Sequence, residues 1–183
     1  KLGDWLESDS VEGLDYKDDL DFALRYALAN RETMITRSVE AIDSVMGADA
    51  DCDSFINRNH NHAEFKDGLW IHRKGATHAE KGMLGVIPGN MRDGSFIVKG
   101  KGNPDSLCSS SHGAGRVLGR KAAKRTLSVD AFSDTMKGVV ANVNESTLDE
   151  SPFAYKDIFE VMKLQADLVD TVSLIRPLVN IKG

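Results

Sequence analysis

The sequence predicts a fold that combines helices with short strands joined by tight turns. Three observations predict it. Apolar residues recur at helical spacing over residues 14–47. From about 55 to 105, short apolar or β-branched runs are bounded by glycines. Ten of the 16 glycines lie between 68 and 115, which concentrates turns in that stretch.

Residues 14–47 read as helix with a break. Leu20, Leu24 and Ala27 form one stripe, and Ile35, Val39, Ile42 and Met46 form another at i, i+4, i+7 and i+11, both expected to pack in the core. Gly47 is a plausible stop. The runs "GLWIHRKG", "GMLGVIPGN" and "GSFIVKG" read as strands joined by tight turns. Residues 114–126, opening "AGRVLGRKAAKR", predict a helix that starts just after His112 and carries Arg116 and Arg120 one turn apart. "KDIFEVMKLQ", residues 156–165, predicts a short helix. The segment "LVDTVSLIRPLVNIKG" then predicts one or two strands interrupted at Pro177. No internal repeat or low-complexity linker divides the chain, so one compact unit is expected.

Composition narrows the class. A chain of 183 residues with 41% hydrophobic content suits a globular domain with its own core. No apolar run approaches the ~18 residues of a membrane span, and no signal segment opens the chain. Cys52 and Cys108 are far apart and unpatterned, which predicts reduced thiols and a cytoplasmic location. A net charge of −5 argues against a general nucleic-acid coat. The charge is uneven, however. From His60 to Arg125 there are 12 basic and 5 acidic residues, a local +7, and the remainder carries −12. Such a middle can steer an anionic ligand, or it can be an ordinary solvated surface. The chain opens on Lys1 rather than Met, which predicts a piece of a longer product.

Three stretches concentrate chemistry. "NRNHNHAE", residues 57–64, sets two histidines two apart. On an extended strand His60 and His62 would share a face suited to a transition metal, while a polar loop is the plain alternative. "HRKGATHAEKG", residues 72–82, places Arg73 and Lys74 beside a glycine, which suits phosphate or a surface turn. "SLCSSSHGAGR", residues 106–116, surrounds His112 with hydroxyls and nearly bare backbone. A free imidazole there can attack phosphorus, and a helix start beside it would offer N–H donors. The alternative is a histidine hydrogen-bonded to neighbouring serines.

The stretch "HRKGATHAEKGMLGVIPGNMRDGSFIVKGKGNPDSLCSSSHGAGR" strongly resembles the RtcB family of GTP- and manganese-dependent RNA-splicing ligases. The resemblance extends through "YALANRETM", "NRNHNHAE", "DESPFAYKDIFEVM" and the terminal "VNIKG". It implies an α+β catalytic domain, with mixed or antiparallel sheets and flanking helices around a central active-site cleft. It also implies that residues 1–183 are the C-terminal portion of that domain, with the N-terminal half absent.

The implied activity joins RNA 3′-phosphate or 2′,3′-cyclic phosphate ends to 5′-hydroxyl ends, in tRNA splicing or RNA repair. Its implied cofactors are GTP and Mn²⁺, and its partners are tRNA halves or broken RNA. His112 falls on the histidine that takes GMP, His60 on a metal-binding histidine, and Lys182 on a lysine that contacts guanine. Pro88, Gly89, Asn90, Ser95, Ala114, Gly115 and Tyr155 match positions around the guanylate, with Glu64 near them. Lys74, Arg116 and Arg120 match phosphate-holding positions. Two departures are evident: Asn90 stands where serine is common, and His78 where arginine is usual. The family's other metal ligands would lie in the missing half, since residues 1–50 hold no histidine or cysteine. An N-terminal half in cis or on a separate chain is therefore expected. The alternative is an incomplete remnant or subunit that binds RNA or nucleotide.

Overall fold

The computed structural model describes residues 5–47, 49–51 and 55–182. Cys52, one of the two expected thiols, lies outside the described residues, as does Gly183. The chain forms two compact units, Lys1–Lys74 and Gly75–Gly183.

In the first unit, Ser10 caps α1 (Val11–Met46) by accepting the Gly13 N–H at 3.1 Å. Gly47 ends the helix in the left-handed region, its N–H reaching the Asp43 carbonyl. The expected break is absent. From Leu14 to Met46 there is no proline or glycine, so nothing interrupts the i→i−4 ladder. The expected core stripes are also corrected. Leu20, Leu24, Ala27 and Val39 are only half-buried, and Ile35, Ile42 and Met46 are exposed. The unit's one hairpin is too small to cover a 36-residue helix.

That hairpin joins β1 (Asn61–Lys66) to β2 (Leu69–Lys74) in antiparallel register. Its turn residues, Asp67 and Gly68, both have positive φ (52° and 78°), the pattern that matches strand twist in two-residue turns. Polar contacts tie the preceding segment to the helix. Arg31 donates to Asn57 and Asn59, each at 2.8 Å, and Asn57 donates to the Leu28 carbonyl at 3.0 Å.

The second unit holds β3 (Ala76–His78), β4 (Leu84–Pro88), β5 (Ser95–Gly100), β6 (Ser109–Ser111), α2 (Arg120–Thr126), α3 (Val129–Thr135), β7 (Val140–Ala141), α4 (Ile158–Leu164), β8 (Val169–Ile175) and β9 (Val179–Asn180). Strands β4, β5 and β8 form an antiparallel sheet in that order. β3 pairs antiparallel with β6, and β7 pairs parallel with β9. The unit is thus α+β with mixed pairing, as the family resemblance implies.

Alternation along β4 and β5 turns Ile87, Phe96 and Val98 inward against Ile158 and Met162 of α4 and Val169 of β8. Ile87 and Ile158 are completely buried, each stabilising the fold by roughly 1.5–3 kcal/mol. Ala114, two residues after His112, belongs to the same cluster. A second cluster joins Met91, Phe132, Met136 and Leu148. Gly100 permits a tight crossing: a Cβ there would lie 2.3 Å from the backbone of Ala79 and Glu80. No helix among the described residues is long and apolar enough to cross a membrane.

Candidate active site

The His112 loop is held from four directions. Leu107 and Cys108, both at positive φ, turn the chain into β6, which pairs with β3 through Ala76–Ser111, Thr77–Ser110 and His78–Ser109. The Ser111 N–H donates to Gln165 Oε1 at 3.0 Å, and the Ser111 hydroxyl donates to the Gly113 carbonyl. The Ala114 N–H donates to the Pro88 carbonyl at 2.9 Å. Lys156 N–H closes the far side by donating to the Gly115 carbonyl at 3.0 Å. Gly113 packs closely here: a Cβ would lie 3.2 Å from the Pro88 oxygen. His112 itself is half-buried with Nδ1 shielded from solvent, and a Cβ on Gly75 would touch its ring at 3.8 Å.

The helix expected to begin just after His112 does not form there. α2 starts only at Arg120. Residues 113–119 spend their backbone groups elsewhere: Arg116 bridges Tyr155, and Val117 N–H donates to the Ala154 carbonyl. Gly115, at φ +75°, takes a conformation incompatible with helix. Arg116 and Arg120 are therefore not one helical turn apart, and the helix start expected just after His112 is displaced to Arg120.

Arg116 instead enters a compact polar cluster. Its Nη1 donates to the Tyr155 hydroxyl oxygen at 2.9 Å and lies 3.3 Å from Glu150 Oε1. Its guanidinium carbon sits 4.8 Å from the Tyr155 ring centre. The Tyr155 hydroxyl donates to Glu150 Oε2 at 2.8 Å, and Lys182 Nζ lies 3.2 Å from the same oxygen. Three expected site residues thus converge on Glu150, a residue not singled out from the sequence. Burial alone would push the Glu150 carboxyl up, but the hydrogen bond from Tyr155 and the charges of Lys182 and Arg116 outweigh it and hold it below its ordinary value. Burial, reinforced by Glu150, pushes the Tyr155 phenol up to about 12.

The neighbouring Asp149 gathers the other cations. Lys124 Nζ lies 3.3 Å away and Arg120 Nε 3.7 Å away, while Arg116 Nη2 donates to its carbonyl. Burial opposes the Asp149 charge, yet the hydrogen bond and charge of Lys124, with Arg116, hold its carboxyl below the ordinary range. Arg120 and Arg116, expected to hold phosphates, are here paired with carboxylates. Counting Arg116, Arg120, Lys124 and Lys182 against Asp149 and Glu150 leaves the cluster with two net positive charges.

The remaining expected residues of this unit line the β4–β5 turn. Pro88 and Ser95 are register partners, and Gly89 N–H donates to the Gly94 carbonyl at 2.8 Å. Asn90 is used structurally. Its Oδ1 accepts the Arg92 and Asp93 N–H groups at 3.0 and 2.9 Å, and its Nδ2 donates to Asp93 at 2.7 Å. A cleft of about 400 Å³ runs from Asn90 past Pro152 and Tyr155 to Phe159.

The other three expected site residues lie in the first unit. His60 sits at an exposed bend ahead of β1, whereas His62 is buried, with Nε2 3.4 Å from Arg73 Nη1. The expected shared face of His60 and His62 is not observed, because strand alternation begins only at Asn61. Arg73 is buried against Glu64 at 2.5 Å, which removes it as a phosphate ligand and engages Glu64. Lys74 is exposed at the end of β2. Among the described residues no group of three or more His, Cys, Asp or Glu is placed to hold a metal ion, so a complete manganese site does not fit what is present.

The family model for the tRNA-splicing ligase RtcB matches residues 4–183. An RNA-splicing ligase RtcB1 of Escherichia coli is 39% identical over 94% of this chain and 46% of its own length. The RNA-splicing ligase RtcB of Escherichia coli K12 is 38% identical over the same shares. A tRNA-splicing ligase RtcB of Archaeoglobus fulgidus is 32% identical over 95% of this chain and 43% of its own length. The chain spans about half the length of the curated relatives it matches. With the match running along almost all of its residues, this chain belongs to the tRNA-splicing ligase RtcB family.

Proposed function

We propose that this chain carries the nucleotide-handling part of an RNA ligase that joins RNA 3′-phosphate or 2′,3′-cyclic phosphate ends to 5′-hydroxyl ends. The observation that carries the reading is the pinned His112 loop, joined through Gly115 and Arg116 to the Tyr155–Glu150–Lys182 cluster within one unit. Membership of a family whose curated members are named RNA-splicing ligases supports it.

With Nδ1 shielded, the attacking nitrogen is Nε2 of His112. It forms a P–N bond to the α-phosphorus of GTP as the P–O bond to pyrophosphate breaks. For a cyclic end, water first adds at phosphorus as the P–O2′ bond breaks, leaving a 3′-phosphate. An oxygen of the RNA 3′-phosphate then attacks the guanylate phosphorus, and the P–N bond breaks. Finally the 5′-hydroxyl attacks the activated 3′-phosphate, loses its proton and expels GMP. Tyr155, Lys182, Asn90, Ser95, Pro88, Gly89, Ala114 and Gly115 are the groups proposed around the guanylate. The net positive charge at Arg116, Arg120 and Lys124 offers attraction to phosphates.

GTP and Mn²⁺ are the proposed cofactors. When bound, the metal supplies charge neutralisation at the triphosphate. From this chain His60 is the proposed ligand. The remaining ligands belong to an N-terminal half in cis or on a separate chain. The proposal includes a cytoplasmic location, where tRNA halves or broken RNA would be met.

The absence of a metal-holding group among the described residues favours a second reading, a subunit or remnant that binds RNA or nucleotide without joining ends. An end-joining assay separates the two. It uses a 3′-phosphate and a 5′-hydroxyl oligonucleotide with GTP and Mn²⁺, and the first half of a curated relative supplied as a second polypeptide. Ligation that needs both polypeptides supports the ligase. Oligonucleotide binding with no joined product supports the second reading.

A further inference from the structure

We infer that Glu150 is a positioning residue for the guanylate site, holding Tyr155, Arg116 and Lys182 in one arrangement through its two carboxylate oxygens. The inference rests on the nucleotide-binding reading above. Three donors from three separate segments meet on this side chain. Arg116 comes from the loop that follows His112, Tyr155 from the end of a 3-10 turn at Pro152–Ala154, and Lys182 from the segment beyond β9.

A carboxylate can do this because it is acceptor-only, with about four lone-pair sites. Oε1 faces Arg116, and Oε2 faces both Tyr155 and Lys182. The side chain is about one-fifth exposed, so these contacts are only partly screened. Without it, Lys182 and Arg116 regain rotamer freedom that nucleotide binding must then remove. Glutamine keeps the shape but turns one acceptor into an NH₂ donor, which meets either Arg116 or Lys182 donor to donor. Aspartate keeps the charge but withdraws it by one methylene. Nothing in this role requires Glu150 to touch the nucleotide.

The test compares wild type with Glu150→Gln and Glu150→Asp, using the thermal unfolding midpoint to confirm folding. The first readout is the phenol titration of the three tyrosines by NMR with ¹³Cζ-tyrosine, Tyr155 being assigned with Tyr155→Phe. The charged groups facing that phenol are Glu150, Arg116 and Arg120. Wild-type Tyr155 is expected to titrate at about 12, and in Glu150→Gln to move toward the ordinary 10.0. The second readout is the dissociation constant for GTP, with Mn²⁺ and the first half of a relative supplied. It should weaken on the order of tenfold in Glu150→Gln, with partial rescue in Glu150→Asp.

If Tyr155 titrates alike in wild type and Glu150→Gln, or if GTP affinity is unchanged, the inference is overturned while guanylylation of His112 can still hold. If the affinity depends on Glu150 and wild-type His112 takes no label from GTP, the ligase reading falls and the positioning role stands. If wild type binds no GTP, both fall. Should Glu150→Gln fail to fold, Glu150→Asp alone decides through the same two readouts.

Discussion

The Tyr155 hydroxyl donates to Glu150 Oε2 at 2.8 Å while accepting from Arg116 Nη1 at 2.9 Å, so one phenol bridges an anion and a cation. Burial, reinforced by Glu150 and opposed by Arg116, favours the neutral phenol and pushes its pKa up to about 12 from an ordinary 10.0. A raised value stabilises the fold below the unfolded pKa, and that contribution is lost as pH climbs through the folded one. Thermal midpoints measured from pH 9 to 12 should fall more steeply for wild type than for Tyr155→Phe, with the difference confined to about pH 10–12. Parallel curves would contradict the bridge.

The acid side has the opposite sign. Asp149 is held below its ordinary 3.8 by Lys124 and Arg116 in spite of burial. Its contribution is present above that value and is lost as pH falls below about 4. Asp149→Asn should lower the midpoint at pH 7, and its difference from wild type should shrink as pH falls below about 4. The same scan with Lys124→Met should show a smaller loss over the same window.

Gly100 tests the crossing that supports β3 and hence β6. Its Cβ would lie 2.3 Å from the backbone of Ala79 and Glu80, neither of which can rotate away. Gly100→Ala should cost about 3 kcal/mol in urea unfolding. Gly119→Ala, whose Cβ meets nothing within 4 Å, should cost under about 1 kcal/mol.

Gln165 is 5% exposed and accepts the Ser111 N–H, one residue before the proposed nucleophile. Gln165→Leu leaves that N–H without its acceptor, a loss of about 1–3 kcal/mol. Labelling of His112 by GTP should slow in proportion more than the unfolding midpoint falls, because the lost hydrogen bond lies one residue from His112. Gln165→Glu, which keeps an acceptor, should label faster than Gln165→Leu.

These residues also mark how far the sequence could be read. β2, β4 and β5 were legible because glycines bracket each run, β8 and β9 because Pro177 separates them, and α4 from its own short run at 156–165. α1 was legible as helix, but its burial was not, since a stripe records apolar spacing and not whether anything covers it. The helix expected after His112 failed because Arg116 and Val117 gain non-local partners at Tyr155 and Ala154, which no local pattern reveals. Glu150 and Gln165 were missed for the same reason. Glu150 meets Arg116 across 34 residues and Gln165 meets Ser111 across 54. The one available signal for Glu150 was an acidic pair directly ahead of "SPFAYK". The expected grouping of Arg116, Tyr155 and Lys182 came from the family resemblance, and spacing alone would not have suggested it.

The central claim is that His112 carries GMP. The most direct measurement incubates this chain with GTP labelled at the α-phosphate, Mn²⁺ and the first half of a curated relative, then follows label on the chain through acid and alkali. The expected result is one GMP per chain, lost in acid and kept in alkali as a P–N bond requires, and absent from His112→Ala. Label that persists in His112→Ala, or a wild-type chain that takes none, would contradict the account.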